Sequence, residues 1–131
     1  MLDHVSIPVR DFARASAFYD AVLGAIGLRR TKQRADAIGY GDRDGFPPVF
    51  WIHAHDGADA ARSGHGLHIS FRVTSREQVH AFHATGLAHG ASDAGAPGPR
   101  PHYTAGFYGA FLLDAEGFKI EAVVREALPP G

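Results

Sequence analysis

Two histidines and one glutamate occupy strand-like segments in which alternation gives each a similar setting. In residues 2–9, LDHVSIPV, the side chains of Asp3, Val5, Ile7 and Val9 share one face, and Leu2, His4, Ser6 and Pro8 share the other. In residues 65–74, GHGLHISFRV, Leu67, Ile69, Phe71 and Val73 oppose His68, Ser70 and Arg72. In residues 118–124, FKIEAVV, Phe118, Ile120, Ala122 and Val124 oppose Lys119, Glu121 and Val123. Each segment thus has an apolar face that can pack beneath a helix and a mixed face carrying one strong metal-ligand type. Two neutral imidazoles and a carboxylate suit a divalent ion such as Zn, Fe, Mn, Ni or Co and leave coordination positions open. Such an ion polarises a carbonyl or holds an oxyanion without any nucleophilic residue. The plain alternative is that each histidine is an ordinary hydrogen-bonded strand residue and Glu121 a partly exposed carboxylate. The metal chemistry requires all three to converge on a common point.

The elements that must position these residues repeat along the chain. Residues 4–27, HVSIPVRDFARASAFYDAVLGAIG, overlay residues 68–91, HISFRVTSREQVHAFHATGLAHGA, at a constant offset. His4 falls on His68, Ser6 on Ser70, Val9 on Val73, Ala17 and Phe18 on Ala81 and Phe82, and Leu23 on Leu87. In the first copy, Asp11 is placed to cap a helix over 12–26, whose apolar residues recur at helical spacing, and Gly27 ends it. Short strands follow near 28–33 and 36–41, then the turn GDRDG at 41–45 and a strand over 47–53 with prolines only at its entry. The second copy continues into AGAPGPRPH (94–102), read as a Gly/Pro-rich loop, then a strand near 106–113, the turn DAEG and the strand 118–124. The endings DRDGF and DAEGF match, and past the extra prolines Trp51 lies opposite Glu121 in the repeat. The organisation expected is a first module over 1–54, a connector over 55–64, a second module over 65–125 and a tail over 126–131, forming one compact domain.

Composition narrows the function classes. Cysteine is absent, which excludes disulfides, thiolate zinc sites and cysteine nucleophiles. A formal net charge of −1 gives no general pull toward nucleic acid or an anionic membrane. No apolar run approaches a membrane span, and the start lacks a signal peptide's basic and apolar regions, so a soluble, cytoplasmic protein is expected. Nine histidines are many for this length, but His55, His65, His80, His83 and His89 read as surface residues.

The segments LDHVSIPVRDFARASAFYD, GHGLHISFRV and FLLDAEGFKIEAV resemble the vicinal oxygen chelate superfamily, which includes glyoxalase I, bleomycin-resistance proteins, extradiol dioxygenases and fosfomycin-resistance enzymes. The resemblance covers about residues 2–125. It implies an α+β fold of two βαβββ modules forming an incomplete barrel around a cup, with the helices on the outer side. Carried over position by position, it implies His4, His68 and Glu121 as metal ligands. The fourth ligand position used by glyoxalase I falls around Val49–Trp51, which holds no obvious ligand; His53 could substitute with a register shift. The pocket for a small-molecule substrate would draw on Trp51, His53, Arg100, His102 and Tyr103. Tyr108 would donate a hydrogen bond to an oxygen on the metal, and Ser6, Ser70 and Arg72 would support the ligands. The activity implied is that of a metal-dependent lyase, isomerase or dioxygenase that stabilises an oxyanion. The alternative is a drug-sequestering protein of the bleomycin-resistance type, without turnover. A homodimer is expected by the same resemblance.

Overall fold

The computed structural model describes residues 1–56 and 66–126. Its elements run β1 (Val5–Val9), α1 (Phe12–Gly24), β2 (Arg29–Gln33), β3 (Ala37–Gly41), β4 (Phe50–Ala54), β5 (Ile69–Arg72), α2 (Arg76–Ala88), β6 (Ser92–Pro99), β7 (Phe107–Leu113) and β8 (Lys119–Arg125). The connector expected over 55–64 and the tail over 126–131 lie almost wholly outside the described residues. The helices start where side chains satisfy their first amides. The Asp11 carboxylate accepts from the Arg14 amide, and the Ser75 hydroxyl accepts from the Gln78 amide. Gly27, at φ 90°, ends α1 while the Leu28 amide returns to the Leu23 carbonyl.

Each βαβββ module forms its own four-stranded sheet, in the orders β1-β4-β3-β2 and β5-β8-β7-β6. The two sheets are not closed into a barrel. The modules instead share one core. Alternate residues of the first sheet, among them Ile7, Val9, Ile38, Phe50 and Ile52, join Phe71, Val73, Ile120, Ala122 and Val124 of the second. The Phe50 and Phe71 rings meet edge-on at 5.5 Å, and α1 packs against α2. The opposite faces of both sheets therefore turn away from this core, and these are the faces carrying the candidate ligands.

The duplication extends to the register. Ser6 pairs with Trp51 across β1 and β4, and Ser70 pairs with Glu121 across β5 and β8. The copies part where packing differs: Leu23 is fully buried, whereas its counterpart Leu87 is 44% exposed. The loop expected over 94–102 is in its first part the edge strand β6. Pro97 and Pro99 are tolerated there because an edge strand needs only half its amides, and two register shifts absorb the glycines.

On the inner face of α2, Gly86 lies against Leu112 so closely that an added Cβ would overlap the Leu112 side chain. Gly86→Ala gains roughly 1 kcal/mol of helix propensity. Overpacking against β7 costs about 1–3 kcal/mol. The variant is expected to be less stable by urea unfolding, with helicity unchanged by circular dichroism.

Candidate functional site

The first sheet's outward face carries a cleft lined by His4, Ser6, Arg34, Ala37, Trp51 and His53. Trp51 and His53 follow from alternation on β4, whose Phe50 and Ile52 take the core side. The Arg34 guanidinium sits 5.2 Å from the Trp51 ring centroid. The His4 Nδ1 is 2.6 Å from Asp3 Oδ1. Donation from Nδ1 to that carboxylate leaves Nε2 with its lone pair, the arrangement found in metal-ligating histidines.

The second sheet's outward face repeats the device. His68 Nδ1 lies 2.7 Å from the Gly66 carbonyl and donates to it, so that in the neutral imidazole Nε2 carries the lone pair. That nitrogen is 3.4 Å from Glu121 Oε1. Glu121 is only 4% exposed, and its second carboxylate oxygen, Oε2, is buried with no hydrogen-bond partner. A lone pair facing a carboxylate is repulsive unless a cation or a proton lies between them, and an orphaned buried carboxylate oxygen costs several kcal/mol (~). The donor set and the orphaned oxygen fit a divalent ion. Gly109 makes room for this carboxylate: a Cβ there would lie 3.4 Å from Glu121 Oε2 and 3.0 Å from the Ala122 carbonyl oxygen. The Phe111 ring backs the pair, its centroid 5.7 Å from that of His68.

The expected convergence of all three ligands is not found within one chain. Among the described residues, no three His, Cys, Asp or Glu side chains form a group that could hold a metal ion. His68 and Glu121 come together, and His4 lies in the other sheet's cleft.

The remaining candidates are placed as follows. Tyr108 alternates with Phe107 and Phe111 on β7 and therefore faces α2, where its hydroxyl is 2.6 Å from His80 Nε2 and Arg76 covers its ring. It stands on the helix side of the sheet, away from Glu121. The Arg100 guanidinium donates to the carbonyls of Ala96, Gly98 and Gly109, clamping β6 to β7 above Phe111. His102 and Tyr103 are exposed in the following turn, with Tyr103 edge-on to Phe107. His83, expected at the surface, is 8% exposed and bound to Asp93 at 2.9 Å. That hydrogen bond, with the Gly95 amide, holds the Asp93 carboxyl below its ordinary range. His83 corresponds in the repeat to Tyr19, which is also buried, and this was the signal that marks it as an interior residue.

The geometry has counterparts among known proteins. The chain shares 33% identity with a glyoxalase/bleomycin resistance protein from Albidiferax ferrireducens T118, over 95% of this chain and 99% of that one, with a TM-score of 0.82. A glyoxalase/bleomycin resistance protein/dioxygenase family enzyme from Burkholderia phytofirmans PsJN is 23% identical over 94% of this chain and 97% of that one, with a TM-score of 0.70. A glyoxalase I mutant from Zea mays has the same fold at 19% identity and a TM-score of 0.71, over 93% of this chain and 46% of that one. No curated protein matches the chain. The sequence profile of one family covers residues 1–122. The chain belongs to the Glyoxalase/Bleomycin resistance protein/Dioxygenase superfamily.

Proposed function

We propose that this protein is a metal-dependent enzyme acting on a small substrate with adjacent oxygens, and that its site is shared between two copies of the chain. The observation that carries the reading is the buried Glu121 carboxylate, with Oε2 unpartnered and Oε1 facing the lone pair of His68 Nε2. In each site, His68 and Glu121 come from one copy and His4 from the other. Support for sharing comes from the separation of the ligands between the sheets: His4 lines the cleft of the first sheet, and the His68–Glu121 pair stands on the second. The edge strands β1 and β5 lie beside these ligands. A divalent ion held there supplies Lewis acidity toward a carbonyl or developing oxyanion. Trp51 and His53 extend the His4 side of the pocket, where the indole offers a flat apolar surface to the substrate. Asp3 and the Gly66 carbonyl hold the two imidazoles in the ligating tautomer.

The test measures metal per chain in untagged protein purified without chelator and offered Fe, Mn, Ni, Zn and Co. Stoichiometric metal on a dimer is expected. His4→Ala and Glu121→Ala are each expected to lose it, and a heterodimer of the two variants is expected to regain half the sites, since one of its sites keeps all three ligands. Near-zero metal in the unmodified protein overturns the reading and favours a binding protein without turnover. A metal-loaded monomer overturns the shared site.

A further inference from the structure

Two clefts of the first sheet adjoin across Trp51 and Arg34. The first, of about 370 Å³, also holds His4, Ser6 and His53. The second, of about 470 Å³, also holds Lys32, Phe46, Pro47 and Pro48. Trp51 and Arg34 line both, and no carboxylate lines either. Arg34 opens the turn between β2 and β3, where its amide donates to the Ala37 carbonyl. Trp51 pairs with Gly39 on the neighbouring strand β3. A Cβ on Gly39 would lie 2.9 Å from Trp51 Cε2 and 2.7 Å from Pro48 Cβ, so the glycine lets the indole settle onto the sheet. The Arg34 guanidinium, 5.2 Å from the indole centroid, is held by the ring without being neutralised. Among the described residues, neither Arg34 nor Lys32 forms an ion pair with a carboxylate. A cationic wall in a cleft that lacks carboxylates concentrates a diffusing anion there.

We infer that the substrate is an organic acid with a flat apolar body, its carboxylate taken by the Arg34 guanidinium and its body laid against the Trp51 indole. The inference rests on the proposed function, because it takes the His4 cleft as the substrate's, and it names the substrate class. The guanidinium is a planar fork whose N–H groups donate to both oxygens of a carboxylate. The indole supplies flat apolar area beside that fork. Together they read a ring and an anion in one molecule, and neither part alone satisfies both.

Trp51 is the chain's single tryptophan, so its fluorescence reports on this cleft alone. The experiment titrates metal-stripped protein with benzoate, with benzamide as the uncharged analogue of the same shape, and with acetate as the anion without a ring. Saturable change in Trp51 fluorescence is expected with benzoate, at lower affinity in high salt. Benzamide and acetate are each expected to bind at least about tenfold more weakly. Arg34→Gln is expected to weaken benzoate about tenfold, corresponding to about 1.4 kcal/mol. Arg34→Lys, which keeps the charge and loses the fork, is expected to fall between the two. Arg34 is exposed, so neither variant removes a core contact. Absence of saturable binding, benzamide or acetate binding as tightly as benzoate, or Arg34→Gln binding benzoate as tightly as the unmodified chain overturns the inference. Metal content is read separately. Protein that binds benzoate but no metal keeps the acid-binding cleft and loses the metal enzyme, and protein that binds metal but no benzoate does the reverse.

Discussion

Glu121→Met is expected to abolish metal binding while making the metal-free protein more stable. The two effects have one cause. Glu121 is almost fully buried opposite Phe111 and beside Gly109, and Oε2 has no partner. A carboxylate taken out of water without full compensation destabilises the folded chain, and replacing buried ionic groups by apolar side chains of similar volume commonly gains about 1–4 kcal/mol. Methionine fits that volume and buries no charge. With metal, the order reverses. At a concentration a hundredfold above its dissociation constant, a metal ion adds about 2.7 kcal/mol to the unmodified protein. The variant lacks the ligand and gains nothing, its affinity falling by at least about a hundredfold. Thermal unfolding with and without metal, beside metal analysis, reads both effects. If Glu121 served only as a structural partner of a protonated His68, the metal-free variant would be less stable than the unmodified protein. That sign would remove Glu121 from the proposed metal site.

Much of this site was legible in residue order because its elements have clean alternation. Val5–Val9 and Ile69–Arg72 set apolar residues against His4, Ser6, Ser70 and Arg72, and β8 sets Ile120, Ala122 and Val124 against Glu121. The repeat made Ser6 equivalent to Ser70 and Trp51 equivalent to Glu121, and the strand register agrees with both equivalences by pairing Ser6 with Trp51 and Ser70 with Glu121. Tyr108 was harder to place. Its strand, FYGAFLL, is apolar or small throughout, so alternation offers no contrast between its faces. Only its pairing with Val124, on the core side of β8, reveals which way it points. Strand β6 was hidden for a different reason: Ser92–Pro99 has the composition of a loop, and it holds as a strand through β7 and the Arg100 clamp rather than through propensity. The division into two sheets left no trace in the alternation, which reads the same whether the ligand faces line one cup or look outward from a shared core.

The shared core depends on a polar lock, and Asp114→Ala is expected to be the most destabilising single substitution considered for it. The Tyr19 hydroxyl, from α1, donates to Asp114 Oδ2 at 2.7 Å. Asp114 Oδ1 accepts the amides of Glu116 and Phe118, each at 2.9 Å, which shapes the turn into β8. Glu116 in turn accepts the amides of Arg10 and Asp11 at the entry to α1. Removing the carboxylate strands a fully buried phenol and two amides. At about 1 kcal/mol for each hydrogen bond, with the added penalty of unsatisfied buried groups, the loss is about 3–5 kcal/mol. That is a large share of the stability of a domain of this size, about 5–15 kcal/mol. Tyr19→Phe, which leaves both amide bonds in place, is expected to lose about 1–2 kcal/mol. Burial also pushes the Asp114 carboxyl above its ordinary value, against the opposing pull of its three hydrogen bonds. Between the unfolded and the raised folded values, the folded chain holds more protons than the unfolded chain. This group's contribution is therefore fully present below the unfolded value and declines as pH rises through the folded one. Urea unfolding across the acidic range should show Asp114→Asn free of that decline, since the amide does not titrate. A loss below about 1 kcal/mol for Asp114→Ala would mean that the modules are joined by apolar contact alone, through Phe50, Phe71 and the packed helices.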